Sequence, residues 1–412
     1  MISVPELLWR CDKKTWINYP GDTQERVLMS ILKENGCTLY GKEYLFREIR
    51  DVEDFTRYVP LSMYQDIQPY IQAMVNGESQ ILVEQPTNTW MKTSQLGGVK
   101  LFPYTIEVAK TFQEAFLRIY TESAAEGIVS EGKVITGLEG LTTDDTGGVP
   151  AECTSSLMFK ALKKIPIVTN MVLPSTKTAQ ISEGEQRWVE IAAEVSRENV
   201  TGAMADPMLF LVFLRRMMTQ YKEVMHLADI QEMWPSFSLI ISDGDVTPYR
   251  SAFRSILGNV EFREIFCSDD LAVGIQIDDK GYVPLFDRCF LEFIPLKEWE
   301  DMEKEGGIYR EYGFDSKTID NVKQGEEYVL VMTTPGGLYR YITGDVIRVI
   351  DDIHIERSGF VEHREAGATH IAEKYMVLLR EIARDDLEMT TQIENQVVAV
   401  ESEALSYLFG IK

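Results

Sequence analysis

The sequence has only five cysteines, Cys11, Cys37, Cys153, Cys267 and Cys289, and no two of them form a CxxC pair. Scattered and odd in number, they argue against a disulfide framework and a zinc site, and they fit a reducing compartment. No apolar run approaches the roughly 20 residues that crossing a bilayer requires. The longest, near residues 207–214, stops at Arg215 and Arg216. The opening segment, MISVPELLWRCDKK, lacks the apolar core of a signal peptide. A cytoplasmic protein with no membrane partner is therefore expected. Basic residues are outnumbered, with 41 Lys and Arg against 65 Asp and Glu and a formal net charge of -24. Such a surface repels phosphate backbones, so no nucleic-acid partner is expected, although a single cleft can still be basic. There is no G-x-S-x-G elbow. The four histidines, His226, His354, His363 and His370, show no metal-ligand spacing.

What is present is an ordinary globular composition, 45% hydrophobic and 26% charged over 412 residues. That length exceeds one ordinary core and implies more than one structural unit. Apolar residues recur at helical spacing over 24–35, 62–76, 106–124, 185–198 and 207–221. Thr105 and Asp206 stand where N-caps are needed, and Pro207 suits a first helical turn. Short β-type runs fall at 80–83, 133–136, 165–169, 238–241, 260–266, 272–277, 290–294, 328–333 and 346–350. Helices alternate with strands early and strands crowd together late, which predicts α/β layers with mixed pairing in the second half. A charged stretch after residue 349 suggests a boundary between a large unit, 1–349, and a small one, 350–412. The small unit contains one clear helical pattern, at 372–383.

The most informative segment is residues 333–345, TTPGGLYRYITGD. It reads as a strand, a Gly-Gly hairpin turn, a second strand and a Gly-Asp corner. An Asp placed there can accept hydrogen bonds from two ribose hydroxyls. The same pattern also describes a surface hairpin whose Asp caps a turn.

GLYRY-x-x-GDV resembles the third signature of the Gretchen Hagen acyl-acid amido synthetases, a family within the adenylate-forming superfamily. Residues 28–40, 55–77, 234–241, 290–295 and 325–334 are also similar to that family, in the same order. The resemblance implies that Asp345 holds the ribose of the nucleotide, with Tyr339 and Arg340 as the aromatic-basic pair before it. Thr93, Ser94, Gly97, Gly98 and Lys100 look like the family's phosphate loop, with Lys100 the implied catalytic cation. Here the loop is shorter, and Gln95 and Leu96 replace the small residues that let backbone N–H groups wrap a phosphate. Ser268 and Asp269 match the second signature, where the family has Ser-Glu. By that match Asp269 would bind Mg2+, with a side chain one methylene shorter. The C-terminal portion is shorter than the family's mobile domain, and no lysine after Lys374 matches its functional one.

The implied fold is a large N-terminal α/β domain of layered mixed sheets with a small, shortened C-terminal α+β domain. The implied reaction uses ATP and Mg2+. A small-molecule carboxylic acid becomes an acyl-adenylate and is passed to an amine, an amino acid being one candidate. A thiol acceptor would keep the first step and change the second. The altered loop, the Asp at 269 and the short C-terminus are also what a nucleotide-binding protein without turnover would show, one that binds an AMP-like nucleotide, an acid or a protein partner.

Overall fold

The computed structural model describes residues 11–12, 16–95, 98–141, 144–146, 149–182, 184–268 and 271–361. Three sheets organise them. The first contains β1 (Trp90–Gln95), β2 (Gly98–Pro103), β4 (Asp144–Thr146) and β5 (Val149–Glu152), in the order β2-β1-β5-β4. The second has seven strands in the order β11-β10-β9-β8-β7-β3-β6. These are β3 (Lys133–Ile135), β6 (Val172–Leu173), β7 (Val200–Met204), β8 (Leu239–Ser242), β9 (Glu261–Ser268), β10 (Leu271–Ile275) and β11 (Val283–Pro284). The run β6-β3-β7-β8-β9 is parallel throughout, and β10 and β11 add to it antiparallel. The third is an antiparallel meander of β12 (Phe290–Pro295), β13 (Glu327–Thr333), β14 (Tyr341–Val349) and β15 (Ile355–Phe360).

The helices cover these sheets. In α1 (Ile106–Ala125), Thr105 Oγ1 accepts from the Val108 N–H at 3.2 Å, closing the first turn. Val108, Phe112, Ala115, Phe116 and Ile119 then repeat at three- and four-residue spacing and are fully buried. Each phenylalanine contributes on the order of 2 kcal/mol by leaving water. In α2 (Pro207–Met218), Asp206 accepts from the Leu209 N–H at 2.8 Å and Pro207 occupies the first turn. The helices expected over 24–35, 62–76, 106–124 and 185–198 correspond to Pro20–Asn35, Tyr64–Val75, Ile106–Ala125 and Gly184–Val195.

Seven of the nine expected strands are present, the short ones at 133–136 and 238–241 among them, and two are not. Residues 80–83 form no strand; Leu82 and Val83 are instead buried beneath the hairpin that joins β13 to β14. Residues 165–169 form no strand either, and lead into a 3-10 turn at Val168–Asn170. The pattern 372–383 lies outside the described residues. β15 pairs with β14 and continues the same sheet past residue 350.

Two features position the site. All parallel strands of the second sheet end on one edge, where Glu139, Asp206, Asp243 and Cys267 follow or close β3, β7, β8 and β9. The β13–β14 hairpin lies against the rest of the chain. Gly337 has φ 97°, and a Cβ there would come within 2.9 Å of Leu82 Cβ, so glycine meets both a positive φ and a close approach.

Candidate functional site

The Gly-Asp pair expected at a strand-end corner lies inside β14. Val331 pairs with Ile342 and Val329 with Val346, so three residues, Thr343 to Asp345, face Leu330 alone. Gly344 takes φ 82° within this bulge. A bulge re-aims one side chain out of the pleat, and here that side chain is Asp345. Thr343 fixes the local shape: its Oγ1 donates to the Leu330 carbonyl at 3.1 Å and accepts from the Asp345 N–H at 3.0 Å.

Asp345 is completely buried. Ser268 Oγ donates to its Oδ2 at 2.6 Å, and Arg357 Nε lies 3.3 Å from its Oδ1. Arg357 is fixed in turn: one guanidinium nitrogen donates to the Cys267 carbonyl at 3.0 Å, and the group lies over the Phe266 ring at 4.4 Å. Ser268, at the end of β9, and Asp345, in β14, thus meet across 77 residues of sequence. No sequence signal singled out Arg357; only pairing β15 to β14 brings it to this carboxylate.

Lys100 lies on β2, with its Nζ 3.4 Å from the Tyr341 hydroxyl and 5.4 Å from the centre of the Tyr64 ring. Tyr341 opens β14, four positions before Asp345, so the first and third motifs are also neighbours. Around the expected phosphate loop, β1 and β2 form a continuous ladder. Thr93 faces Lys100, Ser94 faces Val99 and Gln95 faces Gly98. Gly97 lies outside the described residues, as does Asp269, the expected magnesium ligand. Among the described residues no cluster of three or more His, Cys, Asp or Glu could hold a metal ion.

Tyr339 and Arg340 direct their polar groups into the protein. Tyr339 is fully buried and its hydroxyl donates to the Leu82 carbonyl at 2.6 Å. Arg340, at φ 45°, forks onto Glu292 at 2.9 to 3.1 Å and donates to the carbonyls of Thr56 and Val59. Together they brace the hairpin that carries Asp345.

The sheet edge holds a group that the sequence reading missed. Burial, reinforced by the charges of Asp206 and Glu139, pushes the Asp243 carboxyl up to about 7. Burial and the Asp243 charge raise the Cys267 thiol well above its ordinary value. Nearby, Glu139 accepts from Cys153 Sγ at 3.0 Å and from Ser155 Oγ. Asp243 follows a buried strand in the run Ser-Asp-Gly-Asp, a recognisable β-to-α turn at the carboxyl edge of a parallel sheet, where ligands collect.

Two family profiles match the chain. The GH3 family N-terminal domain covers residues 14–226, and the GH3 family central domain covers residues 282–355. Among curated relatives, an indole-3-acetic acid-amido synthetase of Arabidopsis thaliana is 24% identical over 79% of this chain and 68% of its own length. A jasmonoyl–L-amino acid synthetase of Nicotiana attenuata is 23% identical over 80% of this chain and 66% of its own. The chain thus spans about two thirds of the length of these relatives. Of solved structures, a GH3.15 acyl acid amido synthetase superposes with TM-score 0.64 at 18% identity, covering 90% of this chain and 75% of that one. An open conformation of a 2-hydroxyisobutyryl-CoA ligase superposes with TM-score 0.52 at 11% identity, covering 92% and 89%.

Proposed function

The chain belongs to the GH3 family, and we propose on that basis that it is an ATP-dependent acyl-acid–amine ligase. One observation supports this reading above others: Ser268 and Lys100, from two separate motifs, converge on the strand that carries Asp345. A carboxylate oxygen of the acid attacks the α-phosphorus of ATP, the bond to the bridging oxygen breaks, and pyrophosphate leaves with the electron pair. An amine then attacks the acyl carbon, AMP departs with its phosphate oxygen, and the nitrogen loses a proton.

The first step brings two anions together and is slow without positive charge at the phosphates. Lys100 supplies that charge. Its aromatic surroundings, Tyr64 and Tyr341, limit competing water and strengthen its field. Asp345 accepts from the ribose and so fixes where the α-phosphorus stands. Thr93, Ser94, Gly97 and Gly98 border the phosphates, while Tyr339 and Arg340 serve by holding the hairpin. Mg2+ would be held at Asp269, where it would offset charge on the phosphates. The acid and the amine are small molecules, and the amide-forming names of the relatives support an amino acid as the acceptor. We place the division between the large unit, 1–349, and the small one, 350–412, so that β15 would be the strand by which the small unit joins the sheet of β14.

The test is acid-dependent exchange of labelled pyrophosphate into ATP, run over a panel of aryl and alkyl carboxylic acids. Exchange that appears with one class of acid and disappears in Lys100→Ala supports the reading. AMP binding with no exchange for any acid, in a well-folded sample, would replace it with a nucleotide binder that does not turn over.

A further inference from the structure

A cavity of about 540 Å³ lies at the open end of the β1–β2 hairpin, between the start of α1 and the helix Thr154–Lys163. That volume suits a drug-sized ligand. None of the residues assigned above to nucleotide or metal lines it. Thr89 and Tyr104, at its wall, flank the Trp90–Pro103 pair. The paired residues Gln95 and Gly98 stand at the other end of the strands, roughly 20 Å away at about 3.3 Å per residue.

The lining is basic in a chain of formal net charge -24. Lys160, Lys163 and Lys164 all border it, against one carboxylate, Glu152. Lys160 pairs with Glu152. Lys163 donates to the carbonyls of Thr169 and Val172 at 3.1 and 2.6 Å, and burial lowers its pKa, with Glu194 offsetting part of the effect. An ammonium disfavoured by burial gains from an incoming anion. Lys164 is exposed at the rim. Tyr104, Ile106 and Leu141 supply the accessible apolar part of the lining, and Lys163 Nζ lies 5.3 Å from the centre of the buried Phe159 ring. A site of this kind selects a molecule with an anionic head and an apolar body.

We infer that this cavity is a second ligand site, distinct from the nucleotide site, for a small organic anion whose carboxylate or phosphate faces Lys163 and Lys164 and whose apolar body rests on Tyr104 and Ile106. The inference does not rest on the proposed reaction. Its test is calorimetric titration of the full chain with benzoate, phenyl phosphate and, as the neutral counterpart, phenol. The two anions separate a carboxylate preference from a phosphate preference. Binding of at least one anion, weakened about tenfold by Lys164→Glu and several-fold by added salt, is expected, with Lys100→Ala leaving it intact. Lys164 is exposed, so a change in melting temperature is not anticipated; Lys164→Gln, expected to weaken binding less, serves if the charge reversal fails to fold. Binding lost in Lys100→Ala but kept in Lys164→Glu would assign the event to the nucleotide site and overturn the inference. Equal binding of phenol, or no binding of either anion, would also overturn it.

Discussion

At Asp345 both carboxylate oxygens already have partners, Ser268 on one and Arg357 on the other. Asp345→Asn keeps an oxygen for Ser268 but removes the charge that Arg357 faces. Pyrophosphate exchange should fall by roughly a hundredfold or more, in line with loss of a positioning group in a water-poor site. Exchange within a few-fold of the parent would detach Asp345 from the chemistry. Asp243 gives a pH signature. Its folded pKa of about 7 lies above the ordinary Asp value, so the folded chain holds a proton that the unfolded chain has released. Its contribution to stability is therefore full below about 4, declines as pH rises toward about 7, and is flat beyond. Asp243→Asn should melt higher than the parent at pH 8, with the difference shrinking toward pH 5; a difference independent of pH would refute the assignment. Asp345 was legible in the sequence because its motif is long and intact. Arg357 and Asp243 were not, because each becomes significant only through neighbours remote in sequence, β14 for one and the ends of β3 and β7 for the other.

At the scale of elements, the β13–β14 hairpin is clamped by contacts its own sequence does not announce. Gly337 lies against Leu82 and Val83, Tyr339 bonds to Leu82, and Arg340 forks onto Glu292 with 1% exposure at the acid. Gly337→Ala would place a methyl 2.9 Å from Leu82 Cβ at a φ that alanine resists. Urea unfolding should show a loss of about 1–3 kcal/mol, and nucleotide affinity should drop with it, because the same hairpin carries Asp345. A stable variant with weakened nucleotide binding would mean the hairpin shifted without unfolding; unchanged values for both would mean the contact is slack. Helices were legible because capping residues and apolar spacing agree, as at Thr105 and Asp206. Residues 80–83 misled because three buried apolar residues in a row, Ile81 to Val83, fit a strand and a packed loop equally well. The Gly-Asp corner proved to be a bulge because pairing register is invisible in one strand's sequence.

At the scale of the whole molecule, three apolar clusters join the sheets and helices across residues 11–361. β15 belongs to that assembly, since its pairing covers the edge of β14. A chain ending at residue 350 should lose about 2 kcal/mol or more through an uncovered, bulged strand. One ending at residue 361 should lose less, and identical melting of the two would exclude β15 from the cooperative unit. Layered sheets and mixed pairing were legible from the order of elements, whereas the partner of each strand was not. Arg357 lies on this same last strand, and its Nε occupies the oxygen of Asp345 that a ribose hydroxyl would approach. The two therefore compete, and competition is reciprocal: whatever loosens one partner favours the other. Adding AMP should accelerate amide hydrogen exchange across residues 355–360, and Arg357→Ala should abolish that response. Unaltered exchange on saturation would mean the ribose is accommodated beside the arginine. With acceleration, the last described strand becomes a reporter of nucleotide occupancy, readable from outside the site.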